Sequence, residues 1–316
     1  MPFIQSQLSI KPQPKLDRAY GTKERPHLLY YFRKTPQSIV CPHFWELRWA
    51  YGCPFNCAYC YLQGTFRGRK EPKVKNLDEI LFTLDYAFKD KTLEASIFNS
   101  GELSDSLMNP RIMERISDKF EEQDKHKLLL LTKGVHDLSK IDFLLKKPRK
   151  QTILSLSINA HIIWNLWEHR TPSPERRIEI AKKAAEMGYE VRVRIDPIFP
   201  IEGWKLHYQD LIYTIFSEMP QEPDRFTLGT PRGLAKTLRF AADKSWVKIA
   251  FTDNPERTGW GKKAPKSIRK EIYLFFYDQL SNLGFDKSRI AMCKETRSMW
   301  KELGMTPDSC KCNCIW

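Results

Sequence analysis

No apolar run in this 316-residue chain approaches the roughly 20 residues needed to cross a bilayer as a helix. The opening residues, Met1-Pro-Phe-Ile-Gln-Ser6, lack the basic stretch followed by an apolar one that marks a signal peptide. Internal repeats and long low-complexity linkers are missing too, so no repeat architecture is indicated. His43, His136, His161, His169 and His207 are scattered and form no metal-spaced pair. Acidic residues are in short supply: 38 Asp and Glu stand against 52 Lys and Arg, a net charge of +14. That balance favours a polyanionic partner: DNA, RNA or an anionic membrane surface. The basic residues gather at 67–70, 146–150 and 261–270, each of which could equally be a solvated face. Disorder is excluded by 41% hydrophobic and 12% aromatic residues.

Cysteine, by contrast, is plentiful. Eight are present, three in one loop and four near the C-terminus, a placement that favours metal ligation over disulfides. A reducing cytoplasm is the expected compartment. The loop reads Tyr51-Gly-Cys-Pro-Phe-Asn-Cys-Ala-Tyr-Cys-Tyr61, with thiols at Cys53, Cys57 and Cys60. Three thiolates so close can each bind one corner of a cubane [4Fe-4S] cluster, whereas closed electron-transfer clusters use four cysteines. The fourth iron is then open for a substrate or cofactor. A structural zinc site and buried free thiols are the other readings, although zinc loops carry paired C-x2-C hooks that fit this spacing poorly. Near the C-terminus, Cys293, Cys310, Cys312 and Cys314 could close a second iron–sulfur cluster or a zinc site, provided the C-x-C-x-C run folds into a turn. A disordered reactive tail is the alternative. Cys41 stands alone and reads as a small buried hydrophobe.

Along the chain, strand patterns at 44–50, 95–98, 127–132, 152–158, 190–195 and 225–230 alternate with helical ones at 76–88, 111–122, 137–145, 174–187 and 208–219. Alternation of this kind predicts a parallel α/β sheet with right-handed crossovers, and six units suggest an open (β/α)6 barrel. Ligand chemistry in such sheets lies at the C-terminal strand ends, where the marked motifs fall. A late helix over 267–283 leads into the cysteine-rich tail. Trp164 and Trp167, three apart on a helix, are candidates for stacking an extruded base or for core packing.

The cysteine loop, carried through Cys57-Ala-Tyr-Cys-Tyr-Leu-Gln63, resembles that of radical S-adenosylmethionine (SAM) enzymes. More specifically, it is similar to the spore photoproduct lyase family together with Leu156-Ser-Ile-Asn-Ala160, Thr171-Pro-Ser-Pro-Glu-Arg-Arg-Ile178, Gly188-Tyr189 and Asp196-Pro-Ile-Phe-Pro-Ile-Glu-Gly-Trp204. The likeness runs over roughly 45–235. It implies an open partial (β/α)6 barrel of radical SAM type over 41–235, with an N-terminal arm at 1–40 and a C-terminal extension at 236–316 holding the possible auxiliary metal site. It also implies that the open iron chelates SAM, and that one electron yields a 5′-deoxyadenosyl radical that abstracts hydrogen from a substrate. By position, Ser100 matches a residue that contacts SAM, and Gly101 with Glu102 match the segment that receives its amino group. Lys133 corresponds to a lysine near the SAM carboxylate, and Ser157 and Asn159 to residues that hold the ribose. Outside this ordered set, strand-end hydrogen bonding, a surface lysine and a turn residue would explain the same positions.

One departure concerns hydrogen return. The family's donor cysteine precedes the SAM-contacting serine, but here Ser96-Ile-Phe-Asn-Ser-Gly101 carries no thiol. Tyr59 and Tyr61 are the candidate catalytic groups that remain, unless they are packing residues beside the cluster. Arg232 and Arg257-Thr-Gly-Trp260 lie where a substrate groove could pass. The resulting expectation is a radical SAM enzyme acting on thymine or a thymine derivative in DNA, primed by an external reductant such as flavodoxin or ferredoxin. It would either reverse a thymine lesion or rearrange a hypermodified thymine. An RNA or peptide substrate, or a non-catalytic iron–sulfur nucleic-acid binder, are the alternatives.

Overall fold

A computed structural model describes residues 28–67, 71–252, 254–307 and 310–316. Most of the expected N-terminal arm, and positions 68–70 of the first basic cluster, lie outside the described residues.

One eight-stranded sheet organises the molecule. In spatial order it contains β1 (Leu29–Phe32), β2 (Phe44–Leu47), β3 (Ile97–Asn99), β4 (Lys127–Thr132), β5 (Thr152–Ser157), β6 (Glu190–Ile195), β7 (Arg225–Leu228) and β8 (Ile290–Met292). From β2 to β8 every pairing is parallel, and only β1 is antiparallel, with Leu29 opposite Leu47. Strand order equals chain order, and the terminal strands do not pair with each other, so the barrel is partial and open. The six expected strands are β2 to β7. β1 and β8 carry too few residues to display a periodicity and were not anticipated. They come from the regions expected as arm and extension, and both join this sheet.

Local chemistry explains the crossovers. Parallel strands covered on both faces read as continuous apolar runs, as in Leu128-Leu-Leu-Leu131 of β4. Helix α1 (Leu77–Lys89) begins where the Asn76 side chain accepts the Glu79 amide at 3.1 Å. Helices α2 (Pro110–Phe120) and α3 (Pro174–Glu186) each open with proline at the first position behind a capping Asn109 or Ser173. The fixed φ of proline suits that position, whose N–H has no partner within the helix.

The C-terminal tail fills the interior of the open barrel beneath the strand ends. Asn313 is fully buried; its side chain donates to Ser155 Oγ at 2.7 Å and accepts from Thr227 Oγ1 at 2.7 Å. Arg192 of β6 donates to the Asn313 and Ile315 carbonyls at 2.7 Å, and Arg225 of β7 reaches the Ile315 carbonyl at 3.1 Å. Strand residues that would otherwise face an empty barrel thus satisfy the tail's backbone. Among the described residues no helix is long and apolar enough to cross a membrane.

Asn313→Ala removes the side-chain bonds to Ser155 and Thr227, while the residue 313 amide still donates to Thr227 Oγ1, and is expected to lower unfolding stability by about 1–3 kcal/mol. Urea unfolding under anaerobic conditions measures this. An unchanged midpoint would mean that the tail is not anchored in the barrel.

Candidate active site

The marked residues stand at the strand ends or one step past them. Ser100 follows β3, Lys133 follows β4, Ser157 closes β5, Asp196 follows β6 and Cys293 follows β8. Together with the cysteine loop, most of these positions surround one cavity of about 420 Å³. The loop is pinned at several points. The Gly52 amide, at φ +87°, donates to the Leu103 carbonyl at 2.8 Å, and the Ala58 amide to Trp167 at 3.0 Å. Gln63 is buried; its amide donates to the Cys57 carbonyl at 2.8 Å and its oxygen accepts the Ala242 amide at 2.9 Å. Cys53, Cys57 and Cys60 all face the cavity as free thiols, and burial pushes each of them upward, toward the protonated form. A bound metal deprotonates such thiols outright. Among the described residues no group of three or more His, Cys, Asp and Glu converges to hold a single metal ion. Three thiols spread around a common space fit a cubane, whose ligands bind separate irons, better than they fit zinc.

Three buried charge networks line the wall. In the first, Lys133 Nζ donates to Ser157 Oγ at 3.2 Å, Tyr59 Oη at 3.3 Å and Glu168 Oε1 at 3.0 Å. Behind it, Arg177 clasps the other oxygen of Glu168 at 2.6 Å, and both side chains are fully buried. Tyr59 also donates to Glu168. Burial alone would raise the Glu168 carboxyl, but Arg177 and then Lys133 outweigh it and hold it at about 2. The second network centres on Glu102, which takes a hydrogen bond from Tyr61 at 3.1 Å and lies 3.9 Å from Lys294. Burial opposes its charge, yet Lys294 and then Arg194 keep this carboxyl below its ordinary range. In the third, Arg232 Nη2 bonds both Asp196 oxygens at 2.7 Å while Arg194 takes Oδ2 at 2.7 Å.

Two glycines make this packing possible. A Cβ on Gly101 would lie 2.3 Å from the Leu131 carbonyl, and one on Gly229 would lie 2.4 Å from the Asp196 carboxyl. Lys34, Arg48, Lys133, Arg194, Arg232 and Lys294 face the cavity against Glu46, Glu102, Asp105 and Asp196, so its lining is net basic. At one side Arg48 lies 3.7 Å over the Tyr30 ring, and Lys294 lies 4.9 Å over Trp260.

The expected residues divide into two groups. Cys53, Cys57, Tyr59, Cys60, Tyr61, Gly101, Glu102, Lys133 and Ser157 line the cavity. Ser100 and Asn159 stand behind it. Ser100 Oγ bonds Ser106 at 2.8 Å and the Leu129 carbonyl at 2.9 Å, and Asn159 bonds the Pro197 carbonyl at 2.9 Å and Tyr208 at 3.0 Å. Trp167 packs on Phe199 at 4.5 Å, and neither it nor Trp164 borders the cavity; Trp246 and Trp260 do. The tail thiols gather around a second, smaller cavity. Cys41, expected to stand alone, joins Cys293, Cys310, Cys312 and Cys314 there. Glu168, Arg177, Arg194 and Lys294 escaped the sequence reading. The available signal was a pair of arginines alternating within Glu190-Val-Arg-Val-Arg-Ile195, since charge inside a central parallel strand implies a buried partner.

Comparison with known proteins gives a consistent picture. A family model described as spore photoproduct lyase matches residues 43–262. The spore photoproduct lyase of Bacillus subtilis (strain 168) is 29% identical over 241 residues, covering 72% of this chain and 68% of its own length. Its counterpart from Clostridium acetobutylicum is 27% identical over 256 residues, covering 76% and 73%. Among solved structures, a doubly substituted spore photoproduct lyase with bound AdoMet and dinucleoside spore photoproduct superposes with a TM-score of 0.64 at 20% identity, covering 82% of this chain and 79% of that one.

Glu168→Gln strips Arg177 of its counter-charge and is expected to cost about 3–5 kcal/mol near neutrality. Because the Glu168 carboxyl is depressed in the folded state, its contribution is complete above the ordinary carboxylate range. It is lost as pH falls from there towards about 2. Urea titrations across that interval should show parent and variant converging. A constant gap down to the acid end would show that Glu168 is not ionised by this pairing.

Proposed function

The chain belongs to the spore photoproduct lyase family, and from its site we propose a radical SAM enzyme that acts on a thymine-derived lesion in DNA. The observation that carries this reading is the meeting of three cluster-spaced thiols with Glu102, Lys133 and Ser157 around one cavity. When bound, a [4Fe-4S] cluster with one open iron and SAM supply a one-electron carbon–sulfur cleavage and hence a radical able to abstract hydrogen from an inert carbon.

The chain's own residues do the rest. Cys53, Cys57 and Cys60 hold three irons. Glu102, kept ionised by Lys294 and Arg194, receives the SAM ammonium, with Gly101 allowing its backbone to approach closely. Lys133 pairs with the SAM carboxylate, a charge-assisted contact whose geometry Glu168 fixes from behind. Ser157 takes a ribose hydroxyl. Ser100 and Asn159 act as supports, holding the strand ends from which these groups project. Tyr30, Phe32 and Trp260 offer faces for a base turned out of its stack, and Lys34 and Arg48 offer charge to the flanking phosphates.

Tyr59 and Tyr61 are the hydrogen-bearing groups on the wall suited to returning a hydrogen. An external one-electron donor of the flavodoxin or ferredoxin class primes the reaction, and the thiols Cys293, Cys310, Cys312 and Cys314 hold a second iron–sulfur cluster or zinc. A reducing cytoplasm suits both. The absence of any thiol in Ser96–Gly101 favours a second reading of the same site, in which the substrate radical rearranges or modifies a hypermodified thymine instead of closing to repaired thymines.

Anaerobic reconstitution with iron, sulfide, SAM, a reductant and DNA containing spore photoproduct tests the proposal by mass spectrometry. Cluster-dependent 5′-deoxyadenosine together with repaired thymine is expected, and Cys53→Ala should abolish both. 5′-Deoxyadenosine without repair would favour the second reading, and none from a loaded cluster would defeat the first and the second alike. Lys133→Met should weaken SAM binding about 10- to 100-fold, the worth of one hydrogen bond to a charged group. Equilibrium dialysis on the reconstituted protein measures it, and parent-like affinity would remove Lys133 from the SAM site.

A further inference from the structure

The catalytic cavity and the smaller cysteine cavity share a wall. Glu102, Arg194 and Lys294 border both, and behind them lie the five thiols of Cys41, Cys293, Cys310, Cys312 and Cys314. These cysteines come from three separate stretches of chain. Cys41 precedes β2, and a two-residue ladder pairs Val40 with Glu295 just beyond Cys293. The tail brings the other three through its anchorage on Ser155, Thr227, Arg192 and Arg225. Four of the five are buried, all are free, and Cys312 shares thiol hydrogen bonds with Cys310 and Cys314.

Two N–H donors are aimed at these sulfurs. Arg194 Nη2 donates to Cys293 Sγ at 2.8 Å while also bonding Asp196. The Asn99 amide reaches Cys314 Sγ at 3.4 Å. Lys294 brings a second buried cation to this wall. N–H donors aimed at sulfur are the protein's means of tuning a thiolate-bound cluster. Five thiols exceed by one the four that either a structural zinc ion or a cubane takes.

We propose that Cys41 is a ligand of a second iron–sulfur cluster. Cys41 serves with Cys293 and two of the three tail thiols as the four ligands, which leaves one tail thiol spare, and Arg194 links that cluster to the wall of the catalytic cavity. This rests on the reading that the tail thiols bind metal, and it adds a ligand from outside the expected four and the residue that connects the two sites.

The test uses the full-length chain with Cys53, Cys57 and Cys60 all changed to Ala, so that only the second site can load. After anaerobic reconstitution, iron, sulfide and zinc are counted and the reduced protein is examined by electron paramagnetic resonance. About four irons and four sulfides per chain are expected, half the content of the unaltered protein. Adding Cys41→Ser should at least halve the iron or shift the resonance, with circular dichroism reporting that the fold persists. Unchanged iron and an unchanged spectrum would overturn the role of Cys41 while leaving the tail as a metal site. Zinc in place of iron and sulfide would overturn the cluster, and no metal at all would overturn the tail reading itself. In the same background Arg194→Gln should keep the iron and lower the midpoint potential of the cluster, because a donor to sulfur is lost. An unaltered potential would remove Arg194 as the connecting residue.

Discussion

A carboxylate with no access to water must be neutralised where it stands, and Glu168 shows how much of this molecule follows from that rule. Its side chain is fully buried, so without Arg177 and Lys133 its charge would be prohibitively costly. The pairing has a directional consequence. Arg177 comes from α3 and Lys133 from the end of β4, so satisfying one carboxylate fixes a helix relative to a strand terminus. Lys133 is thereby held with its ammonium among the oxygens of Ser157, Tyr59 and Glu168 instead of extending into solvent. A cation restrained in this way loses little conformational freedom when an anionic ligand arrives.

The same logic recurs around the cavity and accounts for its net basic lining. Asp196 is held by Arg232 and by its near neighbour Arg194, and Glu102 by Lys294; the Arg232 and Lys294 pairs join elements distant in sequence. Since Arg194 also reaches Cys293, the charge balance of the catalytic wall and that of the cysteine cavity are not independent. The open barrel makes this arrangement possible. A closed barrel would fill its centre with side chains from its own strands, whereas here the interior accommodates the chain's tail and its three thiols.

How far the sequence foretold this architecture depends on the range of the interactions involved. β2 to β7 were legible because apolar or alternating strand patterns are separated by helices with explicit starting signals, such as Asn76 before α1 and Ser173-Pro174 before α3. The loop thiols were legible because three ligands within eight residues leave little alternative. β8 was not, since three residues carry no period, and its place beside β7 is set by tertiary packing. Cys41 gave no local hint, because the thiols that it meets arrive from the far end of the chain. Glu168 and Arg177 are a helix apart and look like ordinary surface charges until the fold buries them. Ser100 and Asn159 show the opposite error of scale: their motif position is informative, but their side chains serve the strand ends behind the cavity.

The segment before Ser100 shows where this chain has its own solution. Asn99 is fully buried; its oxygen accepts the Gly101 amide at 2.8 Å and its nitrogen points to Cys314. Its side chain therefore braces the turn that carries Glu102 and contacts the tail, a structural task that a thiol could not perform equally well. With that position committed, the proposed hydrogen return would draw on another group of the wall. Each of the two phenols is bonded to a carboxylate that neighbouring cations hold ionised. Tyr59 is bonded to a carboxylate that Arg177 and Lys133 keep ionised, whereas Tyr61 is tied to the Glu102 backbone and carboxylate beside Lys294. A lysine stands 5.9 Å over each ring, Lys133 at Tyr59 and Lys294 at Tyr61. The two phenols are therefore alike in their charge surroundings, and each holds a carboxylate in register with a lysine, Tyr59 with Glu168 and Lys133 and Tyr61 with Glu102 and Lys294.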